Sequence, residues 1–279
     1  MHPVFWSRKV SDAKLRHGRT IETGVRRTKG VGTGTDFLQL RDYTPDDQFN
    51  RIDWAATGRR GRLVVRTYQP EQNQNVVVVL DSGRLMAANV ADAPRFEHAV
   101  DAARALATIT TALGDKIGLI TFDDGVHTVL RPERSRSQPT RLVDALFDIH
   151  PQLVESDYLE AFSEVVALVR RRSLLVLLTE LSPAADTTGL FDALPILTRR
   201  HRVLIACIKD PDLTQWAGAR PDDVGEAFRS AAAADALRAR RDRLARARRL
   251  GAGVVDTEPH RLAGELADAY LSIKSQGSL

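Results

Sequence analysis

The chain has one cysteine in 279 residues, so no internal disulfide can form. That residue, Cys207, lies in the apolar run Val203-Leu-Ile-Ala-Cys-Ile208, where a buried, inert thiol is expected. No stretch is long and apolar enough to span a bilayer, and the N-terminus lacks the apolar core of a secretory signal. The expectation is a cytoplasmic protein, or a membrane-tethered one if the natural gene product is longer. Catalytic signatures are missing as well. There is no His-Glu-x-x-His, no Gly-x-Ser-x-Gly and no Cys/His set at ligand spacing, and the seven histidines are scattered. Asp123-Asp124, beside Gly125, reads as turn chemistry and not as an acid/base pair. The chain is therefore not read as an enzyme.

What is present is ordinary for a soluble globular protein: 43% hydrophobic and 27% charged residues. The length suits one large domain and a smaller appendage. Charge is uneven. Residues 1–72 hold 14 Lys+Arg against 8 Asp+Glu, and residues 218–250 hold 9 against 5. Two basic zones suit an acidic partner surface or nucleic acid, without choosing between them.

From about Asn75 onward, apolar strands alternate with helix-period segments, the pattern of a sheet covered by helices on both faces. Strands are expected at Val76–Leu80, Lys116–Phe122, Val126–Leu130, Leu174–Leu178, Val203–Ile208 and Val254–Thr257. Asp123-Asp124-Gly125 supplies the turn of a hairpin. Helices are expected near Pro94–Leu113, Thr140–Phe147, Leu159–Arg171, Leu190–Arg200, Asp223–Leu250 and Pro259–Ile273, with a break around Gln215–Pro221. Residues 18–72 read differently, Gly- and Thr-rich with short alternating strands and no strong helix. The expected organisation is an extension over 1–17, a β-rich subdomain over 18–72 and a large α/β domain over 73–279.

The most specific residues are Gly34-x-Asp36-Phe37, Leu40-Arg41-x-Tyr43, Asp47, Arg51-Ile52-Asp53-Trp54, Arg60, Val65-Arg66 and Glu71, with Leu250-Gly-Ala-Gly-Val-Val-Asp256 near the end. In these the chain resembles the bacterial "domain of unknown function 58" family, whose members carry a von Willebrand factor A-like domain. The resemblance implies a Rossmann-like, mostly parallel sheet flanked by helices, with a small β-rich subdomain before the first core strand. It also implies partnership with a MoxR-type AAA+ ATPase and a client protein, and a metal-ion-dependent adhesion site at the carboxyl ends of the strands. Such a site is a cage of carboxylates and hydroxyls around a hard cation that accepts a partner carboxylate.

This chain departs from the family's Asp-x-Ser-x-Ser loop. It reads Asp81-Ser82-Gly83-Arg84-Leu85, so Gly83 and Leu85 occupy both hydroxyl positions. Ser156-Asp157 stands for the usual Thr-Asp, and Glu180 for an Asp. The implied site is either vestigial, with no cofactor, or a Mg²⁺ site held by Asp81, Ser156 and Glu180. Partner contacts are expected at Asp81, Ser82, Gly83, Arg84, Ser156, Asp157 and Glu180, and at Arg51, Asp53, Arg59 and Arg60. These last four form, with Asp47, a charged cluster around Trp54, which reads either as an ion-pair network with Trp54 as buried anchor or, in part, as a docking surface.

Other readings are weaker. Gly30-x-Gly32-x-Gly34 lacks the Gly-Lys-Ser/Thr ending of a phosphate loop and follows the charged Arg26-Arg27-Thr28-Lys29, so it reads as a flexible turn. The Arg-rich helix, with Arg238, Arg240, Arg241, Arg243, Arg246, Arg248 and Arg249, reads as a solvated face, because no aromatic stacking platform accompanies it. The leading function is thus a non-enzymatic adaptor of the ATPase. The alternatives are a Mg²⁺-dependent adhesion module and binding of nucleic acid or an anionic surface through the basic zones.

Overall fold

The computed structural model describes residues 36–45, 47, 49–69 and 73–276. The Gly30–Gly34 loop, Glu71 and the expected extension over 1–17 lie outside these residues. The chain divides into two units, one containing Phe37–Gln69 and the other Pro70–Leu279.

The smaller unit pairs β1 (Asp36–Asp42) with β2 (Val64–Gln69). Between them lie a 3-10 turn, Phe49–Arg51, and a short helix, α1 (Trp54–Arg60). No helix was expected here, since seven residues are too few to show a 3.6-residue period. Its ends are nonetheless well marked. The Asp53 carboxylate accepts from the Ala56 N–H, and Gly61 closes the helix in the left-handed region at φ 67°.

The larger unit is built on a six-stranded sheet. Its strands are β3 (Asn75–Asp81), β6 (Lys116–Phe122), β7 (Val126–Glu133), β8 (Ser173–Leu178), β9 (Arg202–Ile208) and β10 (Gly253–Thr257). A separate two-stranded ladder joins β4 (Asn89–Val90) to β5 (Ala93–Pro94). The sheet order is β10-β9-β8-β3-β6-β7, parallel except where β7 runs back along β6.

Burial on both faces explains the uniformly apolar strands. On β3, Val76, Val78 and Leu80 enter one core, while Val77 and Val79 enter the other. The first core is covered by α2 (Arg95–Ala112), α3 (Gln138–Phe147) and α8 (Leu262–Ser275). The second is covered by α4 (Tyr158–Leu168), α5 (Thr188–Arg200) and α7 (Val224–Arg249). β7 buries one side only, alternates half-buried with exposed residues, and runs three residues beyond the expected Leu130. As an edge strand it tolerates Pro132, which costs no ladder bond there.

One helix appears where a break was expected. α6 (Pro211–Gly218) starts at Asp210, whose carboxylate accepts from the Asp212 N–H, and none of its residues is buried. A helix without a buried stripe carries no hydrophobic period to read. Pro94 precedes α2 as its cap residue.

Candidate functional site

The loops after β3 and β8 meet the connection between α3 and α4 at the carboxyl ends of the parallel strands. Asp81 ends β3 and is 3% exposed. Its Oδ1 accepts from the Ser156 hydroxyl at 2.6 Å and from the Gly83 N–H at 2.8 Å. Its Oδ2 accepts from the Thr179 hydroxyl at 2.5 Å, and Tyr158 Oη stands 3.4 Å from it. With the Thr179 proton on Asp81, Tyr158 donates to Thr179 Oγ1 at 2.9 Å. Burial raises the Asp81 pKa above the ordinary carboxylate value, and the hydrogen bonds from Ser156, Thr179 and Gly83 oppose that rise. Tyr158 is pushed well up by burial and by the Asp81 charge.

Gly83 has a steric reason to lack a side chain. A Cβ at that position would fall 2.2 Å from Ser156 Oγ, inside the space that the Asp81–Ser156 bond needs. The first loop is stitched to its neighbours through the backbone as well. The Ser82 N–H donates to Phe122 O at 2.7 Å, the Gln152 N–H to Ser82 O at 2.7 Å and the Arg84 N–H to Val154 O at 2.9 Å. Arg84 spans the mouth of a small cavity that Asp81, Ser156, Tyr158 and Asp186 also line. Its guanidinium holds the Glu155 carboxylate and donates to Ala184 O at 2.5 Å, so one cation ties the loop after β3 to the α3–α4 connection and to the loop after β8.

Asp157 caps α4, its Oδ1 accepting from the N–H groups of Leu159 and Glu160 at 2.9 and 3.0 Å. Glu180, expected beside Asp81, is turned to other partners. Arg240 Nε reaches its Oε1 at 2.9 Å, and Arg95 Nε lies 3.6 Å from Oε2. Arg240 also pairs with Asp256 at 2.6 Å and donates to Ile208 O at 3.1 Å, while Arg95 pairs with Asp210 at 3.2 Å.

Arg240 therefore differs from the solvated arginine expected on this helix: it is 7% exposed. The signal was in the helical phase. Position 240 lies on the stripe of Ala233, Leu237, Leu244 and Ala247, and arginine masked that stripe's continuity. Two neighbours also find partners: half-buried Arg243 donates to Ser182 O, and the exposed Arg246 guanidinium lies 4.4 Å from the Phe191 ring centre.

Asp123 is more than a turn residue. It is buried, takes the Ser82 hydroxyl at 3.3 Å, and holds His127. Burial would raise its pKa, but the His127 and Asp124 hydrogen bonds outweigh burial and leave it lowered; the partner Asp124 is raised by Asp123. Asp123, Asp124 and His127 offer ligand atoms within 4.8 Å of one another.

Asp53, Arg59 and Arg60 belong to the smaller unit and do not form one network. Asp53 caps α1 and pairs with Arg66 at 2.8 Å, Asp47 pairs with Arg41 at 2.5 Å, and Arg59 and Arg60 are exposed. The Arg51 side chain lies outside the described residues. Trp54, expected as a buried anchor, is 59% exposed.

Comparison with known proteins follows the same lines. The model of the family "Protein of unknown function DUF58" matches residues 39–248. An uncharacterized protein of Mycobacterium tuberculosis, Rv1480, is 25% identical over 228 residues, 76% of this chain and 70% of the relative. Among solved structures, the conserved hypothetical protein BatB from Bacteroides thetaiotaomicron is similar with a TM-score of 0.50 and 16% identity, over 73% of this chain and 100% of that one. The VWA domain of SpRpn10 has a TM-score of 0.46 and 15% identity, over 74% of this chain and 99% of that one. At these identities the likeness concerns the fold alone, a mostly parallel sheet flanked by helices.

Proposed function

Because the chain belongs to the family of proteins of unknown function DUF58, we propose that it is a non-enzymatic protein-interaction module that works without a bridging metal, as an adaptor between a MoxR-type AAA+ ATPase and a client protein. The ATPase partnership rests on the family resemblance, and the metal-free mode rests on the bonding of Asp81. A carboxylate has about four acceptor positions. Ser156, Gly83 and Thr179 donate to Asp81, and Tyr158 Oη, whose proton goes to Thr179 Oγ1, stands 3.4 Å from the same carboxylate. Mg²⁺ prefers oxygen ligands in near-octahedral geometry. Gly83 and Leu85 bring no side-chain oxygen, and the Glu180 carboxylate is neutralised by Arg240 and Arg95. The residues present do not fit the ion, and hydroxyl donors do its structural work.

In this reading the contact surface is the exposed rim and not the buried carboxylate. Arg84, Glu155, Asp157 and Asp186 present charge around the loops, whose backbone the internal hydrogen bonds hold rigid. The test is a binding titration of a purified MoxR-type ATPase against the intact chain, in EDTA and then in millimolar Mg²⁺. The expected result is the same Kd in both, weakened by Arg84→Ala. Binding that requires Mg²⁺ and is lost in Asp81→Ala would instead establish a metal-bridged adhesion module. No binding to the ATPase under either condition would remove the adaptor role.

A further inference from the structure

Two large aromatic side chains stand out from the smaller unit, in contact with each other. Phe49 is 64% exposed and Trp54 59% exposed, and their ring centres lie 5.6 Å apart at 63°. Ile52, Ala56, Val64 and Val65 of the same unit are buried, and neither ring is. The backbone beneath them is well held. Asp53 caps α1 at Ala56 N and is gripped by Arg66, the Thr57 hydroxyl accepts from Val64 N at 3.1 Å, and Ile52 bridges to Val65. Aromatic groups presented on a fixed frame lose little freedom on binding.

Asp42 pairs with Arg62 at 3.0 Å, Asp47 with Arg41 and Asp53 with Arg66. Among the described residues no carboxylate pairs with Arg59 or Arg60, both exposed, a turn and a half along α1 from Trp54. Gly58, between them, would place a Cβ with nothing within 4 Å, so a partner surface can come close to the helix there.

We infer that this unit is a docking surface for a partner protein whose contact face is an apolar cleft rimmed by Asp and Glu, with Phe49 and Trp54 filling the cleft and Arg59 and Arg60 pairing with its rim. Tryptophan and arginine are the residues that most often carry interface binding energy, and an unpaired cation pair selects an acidic rim. Nucleic acid fits less well, because an edge-to-face pair does not offer parallel faces to successive bases. The inference rests on the reading of the chain as an interaction module, but not on the ATPase as its partner.

The experiment titrates the intact chain by fluorescence anisotropy against three short labelled peptides and an oligo-dT of matching length. One peptide mixes Asp and Glu with Leu and Phe, the second replaces the apolar residues by Ser, and the third replaces the acids by Lys. The expected result is tightest binding to the first peptide, weakened about tenfold or more by Phe49→Ala/Trp54→Ala and by Arg59→Glu/Arg60→Glu. Arg59→Ala/Arg60→Ala is the milder variant, and a circular dichroism spectrum and urea midpoint equal to the parent's show that each variant folds. Equal affinity for the Ser peptide or for oligo-dT, unchanged affinity in the variants, or no binding of the first peptide would each overturn the inference. ATPase binding is followed in parallel: if it persists while the peptide result fails, only this inference falls, and if both fail the interaction-module reading falls with it.

Discussion

Gly83→Ala is a small change with a large expected cost, because the added methyl meets a hydroxyl and not a void. The new Cβ would fall 2.2 Å from Ser156 Oγ, 3.1 Å from Val154 O and 3.2 Å from Asp81 Oδ1. The last two contacts are tight but absorbable; the first is not, and Ser156 Oγ must retreat by about 1 Å before contact is ordinary. That movement breaks its 2.6 Å bond to the buried Asp81 carboxylate. Losing a hydrogen bond to a charged group costs about 1.5–3 kcal/mol, and residual overpacking about 1–3 kcal/mol more. The expected loss is about 3–5 kcal/mol in urea unfolding, with an unchanged m-value. Ser156→Ala alone loses the hydrogen bond without the clash, at about 1.5–3 kcal/mol. The double variant should cost within about 1 kcal/mol of Ser156→Ala, since the atom that clashed is gone. A Gly83→Ala chain within about 0.5 kcal/mol of the parent, or strictly additive costs, would refute the claim that the Ser156 hydroxyl excludes a side chain at 83.

Arg240→Met keeps the packing of the side-chain stem and removes its charge, leaving Glu180 and Asp256 without their shared cation. Breaking a buried pair costs about 3–5 kcal/mol; the low end is expected because Arg95 stays near Glu180, and a loss under about 1 kcal/mol in urea unfolding would show a solvated arginine after all. The Asp47 carboxyl, held down to about 2 by Arg41 and the Thr44 N–H, should titrate near that value by NMR and move up in Arg41→Ala. Because the folded-state value is depressed, the stabilisation from Asp47 is present above the ordinary carboxylate pKa and is lost as pH falls through about 2. A midpoint near the ordinary value in the parent would contradict the ion pair.

Much of the large unit was legible from pattern alone. Val76–Leu80, Leu174–Leu178 and Val203–Ile208 are uniformly apolar because both faces of the sheet are covered, and short runs of that kind bounded by turns read as buried strands. The helices α2 and α7 showed because each buries a stripe. The helices that did not show were α6, which buries nothing, and α1, which is too short to repeat. Cys207 could be read as buried from its neighbours, and is.

The candidate site divides along the same line. That the loop after β3 lacks two hydroxyls was visible at Gly83 and Leu85, because it concerns residues adjacent in the chain. That the Thr179 hydroxyl reaches Asp81, with Tyr158 bonded behind it, was not, since these groups stand 98 and 77 residues away from Asp81. Glu180 offered the same carboxylate to a cation or to an arginine. Only the crossing of α7, 60 residues on, assigned it to Arg240. Trp54 illustrates the converse, since a large apolar side chain suggests burial, yet the turn at Phe49–Arg51 and the cap at Asp53 aim it outward. Local periodicity records how a segment divides its own surface between water and core. Which polar group meets which across the fold depends on where distant segments pass, and that was settled by packing alone.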